Sequence, residues 1–562
     1  MSRDLDCRHG EGILSGIMAA DPITLSPSAH VDTFCRDSLP PPESWPEFVF
    51  DLEDVQYPDR LNCAVELLDR TIAAHGADRT CLLAPNGERW TYGELRSTAN
   101  RIARVLVDDL GIVPGNRVLL RGPNNPWLVA CWFGVLRAGA VVVTTMPLLR
   151  PGELSTVHEI ARIDVSLCDH RFLDDLRASD LGTVPLVPYG GDADDDLGRR
   201  VLQVSHEFEP VDTAADDVAL LAFTSGTTGR PKATMHFHRD VLANADTFSK
   251  HVLRPTSDDV FTGTPPLAFT FGLGGLVVFP LRVGASSLLI EKATPAELAE
   301  HIGAHDVTIC FTAPTAYRAM LTAADISAVS SLRRCVSAGE HLPVATWTAF
   351  HEATGVKIID GIGSTELLHI FISAADDAIV PGSTGVPVPG FQAEVVDADG
   401  KPLPAGESGR LAVKGPTGCR YLADPRQAAY VQNGWNITGD TFVKDDNGYF
   451  WYQARSDDMI ISSGYNIAGP EVEEAVLRHP DVVECAVVGT PDEDRGQLVT
   501  AYVVLRDGAV GDDTFVKALQ DFTKGEIAPY KYPRAVHVVD SLPRTSTGKL
   551  QRFRLRDRVV RS

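Results

Sequence analysis

Thr224-Ser225-Gly226-Thr227-Thr228-Gly229-Arg230-Pro231-Lys232 packs hydroxyls, glycines and a terminal cation into one short stretch. That composition makes a flexible loop able to wrap a polyphosphate. Gly226 and Gly229 allow backbone angles closed to other residues and let amide N–H groups approach an anion, while Lys232 brings a point charge. A Walker A loop sets a glycine directly before a Lys-Ser/Thr pair. Here Pro231 precedes Lys232 and Ala233 follows it. The other candidate, Gly548-Lys549, is followed by Leu550 and has Pro543 where the upstream glycine is required. A P-loop NTPase is therefore disfavoured. Taken alone, such a loop is ordinary turn chemistry more often than a phosphate site, so its reading depends on the rest of the chain.

At 562 residues the chain exceeds one ordinary core, and at about 150 residues per domain roughly three or four packed units are expected. Hydrophobic residues make up 44% and charged residues 22%, and the 47 glycines and 37 prolines lie scattered without period, the profile of a globular protein. With 51 basic against 75 acidic residues the net charge is −24, which argues against nucleic-acid or membrane-surface binding. Anionic ligands must then be met by local groups. Met1 to Gly12 has no apolar h-region, and the most lipid-like run, Leu273 to Ile290, is interrupted by Pro280 and Arg282. Neither a secretory signal nor a transmembrane helix is expected, and the expected location is cytoplasmic. The ten cysteines, Cys81, Cys168, Cys335 and Cys485 among them, form no C-x-x-C pair and read as buried free thiols. His236 and His238 form an H-x-H with no evident third ligand, so structural roles are expected for them.

From Gly93 the sequence sets Leu95, Ala99, Ile102, Ala103 and Leu106 on one helical face, and an apolar strand follows at Val118 to Leu120. The alternation recurs through Trp127 to Ala140, Val141 to Thr145 and Val307 to Phe311, as in sheets covered by helices on both faces. The expected fold class is α/β. The grain changes near residues 450 to 460, where Gly448-Tyr449-Phe450-Trp451-Tyr452 leads into Arg455-Ser456-Asp457-Asp458, and a hinge is expected there. Beyond it, Pro470 at a first helical position with Glu471, Glu473 and Glu474 opens a helix that ends before Pro480. Strands are expected at Val483 to Val488 and Leu498 to Leu505, and a helix from about Thr514. The expected division is an N-terminal domain over 1–456 and a small α+β C-terminal domain over 457–562.

Four further constellations stand beside the loop: Ser337-Ala338-Gly339-Glu340-His341-Leu342-Pro343, Gly361-Ile362-Gly363-Ser364-Thr365-Glu366, Gly434-Trp435-Asn436-Ile437-Thr438-Gly439-Asp440, and Pro543-Arg544-Thr545-Ser546-Thr547-Gly548-Lys549. In this order and spacing, together with the hinge, they resemble the adenylate-forming superfamily of acyl-CoA synthetases, adenylation domains and luciferases. The resemblance covers nearly the whole chain, and the residues up to Trp45 are similar to an extension found in some aryl-CoA ligases. It implies a large N-terminal domain of α/β subdomains with a β-barrel-like part, a small mobile C-terminal domain, and ATP, Mg2+ and CoA as cofactors for the activation of an acid.

Carboxylates are poor electrophiles, so an enzyme that makes a thioester first replaces the carboxylate oxygen with a better leaving group, here AMP. The attack on the α-phosphorus needs cations to screen carboxylate from triphosphate. By resemblance, Thr224, Ser225, Gly226, Thr227, Thr228 and Lys232 hold the β- and γ-phosphates, and Thr365 and Glu366 hold phosphate and Mg2+, with Glu366 the metal ligand. Gly339, Glu340 and Gly363 belong to the nucleotide site, Asp440 accepts from the ribose hydroxyls and Arg455 also contacts ribose. Lys549 is the catalytic cation of adenylation. Thioester formation needs the pantetheine thiol where Lys549 stood, and the family solves this by rotating the small domain about a hinge residue, which maps to Asp457. That rotation brings in the Ser463-Gly464-Tyr465-Asn466 strand, where Gly464 lets pantetheine pass against bare backbone. Ala454 stands where the family usually has glycine, which bears on local backbone geometry more than on chemistry.

The segment Pro265 to Gly275 and His369 look like the benzoate-CoA ligase branch. Phe269, Thr270, Phe271, Gly272, Ala338 and His369 are the expected substrate-binding residues, a flat apolar pocket suited to an aryl ring. Where benzoate-specific relatives tend to show Ala-Tyr, this chain has Thr270-Phe271, which points to an ortho-substituted benzoate, salicylate or 2-aminobenzoate. An enzyme loading a carrier protein with an aryl acid is the nearest alternative. A silent scaffold is disfavoured by intact Thr228, Glu366, Asp440 and Lys549, and a nucleic-acid binder using the basic tail from Arg552 to Arg561 by the net charge. A homodimer is one open expectation for assembly.

Overall fold

The computed structural model describes residues 24–224, 231–323, 325–455, 458–462, 465–492, 495–527, 529–544 and 550–560. Two largely parallel sheets, each covered by helices, make most of the body. The first has six strands in the spatial order Leu186–Tyr189, Val165–Asp169, Arg117–Arg121, Val141–Thr145, Val218–Thr224 and Lys232–Phe237, of which the last alone runs antiparallel to its neighbour. The second has nine. Its parallel centre runs Ile358–Gly363, Arg334–Ser337, Ile309–Thr312, Val260–Gly263, Ser286–Leu288 and Thr80–Leu83.

Local chemistry explains these elements. Thr91 caps the helix Tyr92–Arg104 by accepting from the Glu94 amide at 3.1 Å, while Glu94 accepts from the Thr91 amide at 2.8 Å. Leu95, Ala99, Ile102 and Ala103 on its inner face are fully buried. The helix Pro126–Arg137 starts with a proline at its first position behind an Asn125 cap, and it is buried almost all round because its sequence has no polar face. The expected strand at Val141–Thr145 is found at those bounds.

The all-β part of the body is an antiparallel sheet of five strands, Gln392–Val396, Ser408–Lys414, Val431–Gln432, Trp435–Lys444 and Phe450–Arg455. The aromatics of Gly448 to Tyr452, expected at a hinge, lie in this sheet: Phe442 pairs with Tyr452 and Asp440 with Arg455. The period-two burial of Phe450 and Ala454 gives the physical reason, since one face packs on the body. A separate sheet follows, with strands Ile460–Ser462, Tyr465–Ile467, Val482–Asp492, Gly496–Leu505 and Ala535–Val538. It is covered by the helices Gly469–Leu477 and Asp513–Glu526 and has its own apolar cluster around Val472, Val487 and Leu519. Pro470 is the second helical residue, with Gly469 the first. The fold is thus a large α/β body with a smaller α+β unit. Residues 456 and 457, the latter the expected hinge, lie outside the described residues.

The residues before the first sheet strap the body. Ser26 and Ala29 amides donate to Asp216 and Asp217 at 3.0 and 2.9 Å, and Trp45 and Phe48 pack over Arg420, whose guanidinium lies 3.9 Å from the Phe237 ring centroid. Arg420 is fully buried and pairs with Asp240, which is equally buried. Nine cysteines of the described residues are buried free thiols. Among the described residues no helix is long and apolar enough to cross a membrane.

Removing one partner of a buried ion pair leaves an uncompensated charge, at a cost of about 3–5 kcal/mol. Asp240→Ala should therefore destabilise the body by that amount in urea unfolding followed by circular dichroism. A change below about 1 kcal/mol would mean that the guanidinium is satisfied without its carboxylate.

Candidate active site

The strands Val218–Thr224 and Lys232–Phe237 pair antiparallel, with Thr224 opposite Lys232. Ser225, Gly226, Thr227 and Thr228 lie outside the described residues. At the base of the loop, the Thr224 hydroxyl is buried without a partner among the described residues. Lys232 turns its ammonium to the Glu366 carboxylate, 3.1 Å away, and hydrogen-bonds to the Tyr421 hydroxyl. Tyr421 in turn donates to Glu366 Oε1 at 2.5 Å. Burial, and next the Glu366 charge, push the Tyr421 phenol far above its ordinary range, so it keeps its proton.

Glu366 reaches this place from the strand Ile358–Gly363 through a short helical turn, Thr365–Leu367, capped by Ser364. Leu368 then reverses the chain with φ +72°, a strained conformation for a non-glycine residue that costs on the order of 1–3 kcal/mol. A side chain on Gly363 would lie 2.6 Å from the His369 carbonyl, so only glycine admits this crossing. The Thr365 carbonyl accepts from His236 Nε2 at 2.8 Å, which fixes the proton on that nitrogen. His238 Nδ1 accepts from the Cys63 amide at 3.2 Å. The two histidines of the H-x-H therefore serve different neighbours, and among the described residues no three metal-ligating side chains cluster.

Ala338, Gly339 and Glu340 follow the strand Arg334–Ser337, with Gly339 at φ +87°. Glu340 pairs at 3.2 Å with Arg544, which also holds Glu484 of the small sheet at 2.7 Å. The start of the 543–549 motif is thus set against the 337–343 motif, although Lys549 and Gly464 lie outside the described residues. Asp440 and Arg455 face each other across paired strands at 3.6 Å. Asp360, one residue before the Gly361 motif, is buried, and burial pushes its carboxyl up to about 7.

Asn124 holds the Pro265–Leu267 turn by accepting from the Leu267 amide at 2.8 Å and donating to the Pro265 carbonyl at 3.0 Å. The short helix Thr270–Leu273 starts there, and a side chain on Gly272 would lie 2.2 Å from the Pro266 carbonyl. Phe271 meets the Phe311 ring at 5.5 Å and the His369 ring at 5.6 Å, and His369 also contacts Phe248 at 5.5 Å and Phe279 at 4.6 Å. Phe269 makes none of these ring contacts, and Thr270 is half-buried beside them. His369 is 3% exposed, and neither ring nitrogen has a hydrogen-bond partner among the described residues. Burial pushes its pKa down to about 3; the nearby Phe271 carbonyl opposes the shift without reaching hydrogen-bond geometry.

Residues 68–421 match the family model described as AMP-binding enzyme, and residues 471–549 match that of the AMP-binding enzyme C-terminal domain. The chain belongs to the AMP-binding enzyme family. It is 36% identical over 512 residues to the benzoate–CoA ligase of Thauera aromatica, covering 89% of this chain and 97% of that one. Among solved structures, the anthranilate CoA ligase AuaEII in complex with anthranoyl-AMP is 34% identical with a TM-score of 0.85, covering 91% of this chain and 99% of that one. A benzoate CoA ligase from Burkholderia xenovorans LB400 is 32% identical with a TM-score of 0.81, covering 88% and 100%. This AMP-binding enzyme is an acid–thiol ligase of the benzoate–CoA ligase-like branch that uses ATP, Mg2+ and CoA. One carboxylate beside a lysine fits that metal, because Mg2+ is usually met by one or two carboxylates together with substrate phosphates and water.

Sequence reasoning missed Phe248, Phe279, Asp360 and Tyr421. Phe248 lies on a helix, Ala245–Leu253, that no motif marked, and Phe279 in the apolar run from Leu273 to Ile290. Asp360 carried a signal of position, bordering the Gly361 motif, whereas Tyr421 comes beside the strand that begins at Lys232 only in the fold.

Between about pH 6.5 and pH 3 the unfolded chain protonates His369 while the folded state refuses the proton, so stability falls as pH drops through that window. His369→Gln, which does not titrate, should flatten the acid slope of unfolding free energy by about 3–5 kcal/mol across it. Urea unfolding at a series of pH values measures this, and parallel curves for the two proteins would show that the native imidazole titrates normally.

Proposed function

We propose that the enzyme is an aryl-CoA ligase for a benzoate bearing a hydroxyl or amino group ortho to the carboxylate, salicylate or 2-aminobenzoate. The observation that carries this reading is His369. A neutral imidazole has one donor and one acceptor, and here both stand without a partner among the described residues in a ring of phenylalanines. With the imidazole beside the ring and not the carboxylate, benzoate offers it only C–H groups. A substituent that donates or accepts removes a desolvation cost of about 1–3 kcal/mol, and the half-buried Thr270 hydroxyl supplies a second polar partner. The anthranilate CoA ligase among the similar structures is consistent with this class.

In the first half-reaction the acid attacks the α-phosphorus of ATP and pyrophosphate leaves. Thr224, Ser225, Gly226, Thr227, Thr228 and Lys232 hold the outer phosphates, Gly339, Glu340 and Gly363 border the nucleotide, and Asp440 and Arg455 take the ribose. Thr365 and Glu366 would hold phosphate and Mg2+, which supplies charge screening when bound. Lys549 stabilises the transition state. The small unit, 457–562, then turns about Asp457, withdrawing Lys549 and presenting Gly464 for the thiol. The Glu340–Arg544 pair is consistent with the adenylation arrangement, because it sets the start of the lysine loop against the nucleotide side of the body.

Salicylate or 2-aminobenzoate should exceed benzoate in kcat/KM by roughly 10- to 100-fold, the scale of one unpaired buried polar group. AMP formation with the three acids tests this, and equal or faster turnover of benzoate refutes the ortho assignment. Pyrophosphate release without any aryl-CoA would move the enzyme to carrier loading. Lys549→Ala should slow adenylation by about 10²–10³, with a smaller effect on thioester formation from supplied adenylate. Stopped-flow measurement of the two half-reactions separates them, and equal losses in both would remove Lys549 from its assigned step.

A further inference from the structure

We propose that Tyr421 is a positioning residue for adenylation, its phenol fixing the Glu366 carboxylate and the Lys232 ammonium relative to each other. The inference rests on the reading of those two residues as the Mg2+ and phosphate contacts. Tyr421 touches both charges in three ways: it donates to Glu366 Oε1 at 2.5 Å, it accepts from Lys232, and its ring centroid lies 4.2 Å from the ammonium. A hydroxyl has one proton to give, and that proton goes to the carboxylate. Without it, Lys232 and Glu366, 3.1 Å apart, satisfy one another, which draws the lysine off the phosphates and one carboxylate oxygen away from the metal.

The phenol is itself held still. Tyr421 is 1% exposed, and its ring meets Tyr430 at 5.8 Å, the Tyr430 hydroxyl reaching Ser364 at 3.2 Å. Its backbone is laced to the strand that begins at Lys232, through Met235 N–H to the Arg420 carbonyl at 2.8 Å and Leu422 N–H to the Ala233 carbonyl at 2.9 Å. The Tyr421 amide donates to Gln427 Oε1 at 2.9 Å. Gln427, buried, spends its two amide hydrogens on the Ser44 and Cys419 carbonyls at 2.8 and 3.1 Å. The N-terminal strap, Gln427 and Tyr421 therefore form one rigid support that ends on the two charges.

The test compares Tyr421→Phe, Glu366→Gln and the native enzyme in acid-dependent pyrophosphate release over a range of Mg2+ concentrations, in MgATP binding by calorimetry without acid, and in thermal unfolding. Phenylalanine keeps the ring under Lys232 and against Tyr430. The expected result for Tyr421→Phe is a roughly 10- to 100-fold loss of kcat and a matching weakening of MgATP binding, the scale of a lost hydrogen bond to a charged group, with the acid KM and the melting temperature unchanged. Native Mg2+ dependence and MgATP affinity in Tyr421→Phe, with Glu366→Gln inactive, would overturn the positioning role and leave the Glu366 assignment standing. A drop in melting temperature together with a raised acid KM would reduce Tyr421 to a packing residue and overturn it as well. Native behaviour of Glu366→Gln would remove the reading of Glu366 on which the inference stands.

Discussion

A lysine and a glutamate that are 189 and 55 residues from the tyrosine between them meet in a place nearly closed to water, and the rest of the molecule is arranged to keep them there. In low dielectric a paired ammonium and carboxylate attract strongly, yet each has lost its hydration, so the arrangement persists only with further hydrogen bonds. The antiparallel strand pair delivers Lys232 at a fixed register. The end of a parallel strand and a single strained residue deliver Glu366. In open α/β sheets, binding crevices lie beyond the carboxyl ends of the strands, and the residues that follow Ile358–Gly363 and Arg334–Ser337 obey that rule.

The ring cluster around His369 is built on an opposite principle. Aromatic side chains with little to hydrogen-bond enclose one histidine whose nitrogens have no partner among the described residues. Such a group is costly in the folded protein, because burial has taken its water without supplying a partner. Packing makes this possible: a side chain on Gly274 would come within 2.4 Å of the His369 ring, so the helix Thr270–Leu273 and its continuation can lie against the imidazole only with glycine there.

Much of this was legible in the sequence where local rules govern. The helix over Tyr92–Arg104 announced itself through its apolar spacing, and the strand Val141–Thr145 through its unbroken β-branched run. The 224–232 stretch and the Gly361 motif stood out because glycines and hydroxyls at close spacing mark backbone that must do something unusual, and in the second of them Gly363 passes where a side chain would meet the His369 carbonyl. Tyr421 was not visible. It lies in an irregular segment between Gly415-Pro416 and Asp424-Pro425, and its place beside Lys232 and Glu366 arises only when distant segments pack together. The aromatics near Phe450 were read as leading into a hinge for the complementary reason: a sharp change in composition marks the end of a sheet as well as a joint between units, and the pairing of Phe442 with Tyr452 shows that they lie in the sheet.

The hydrogen bond from Gln427 to the Ser44 carbonyl closes a loop of 383 residues. Contacts of such sequence separation form late, because the entropy of closing the loop is met before the contact returns anything. On a ribosome the start of the strap finds Asp216 and Asp217 early, but Ser44 has no Gln427 until residue 427 has emerged, by which time both parallel sheets have their strands and the Val218–Phe237 hairpin is already made. The support of the Lys232–Glu366 pair is therefore among the last parts of the body to assemble, and a folding intermediate with complete parallel sheets would still lack it.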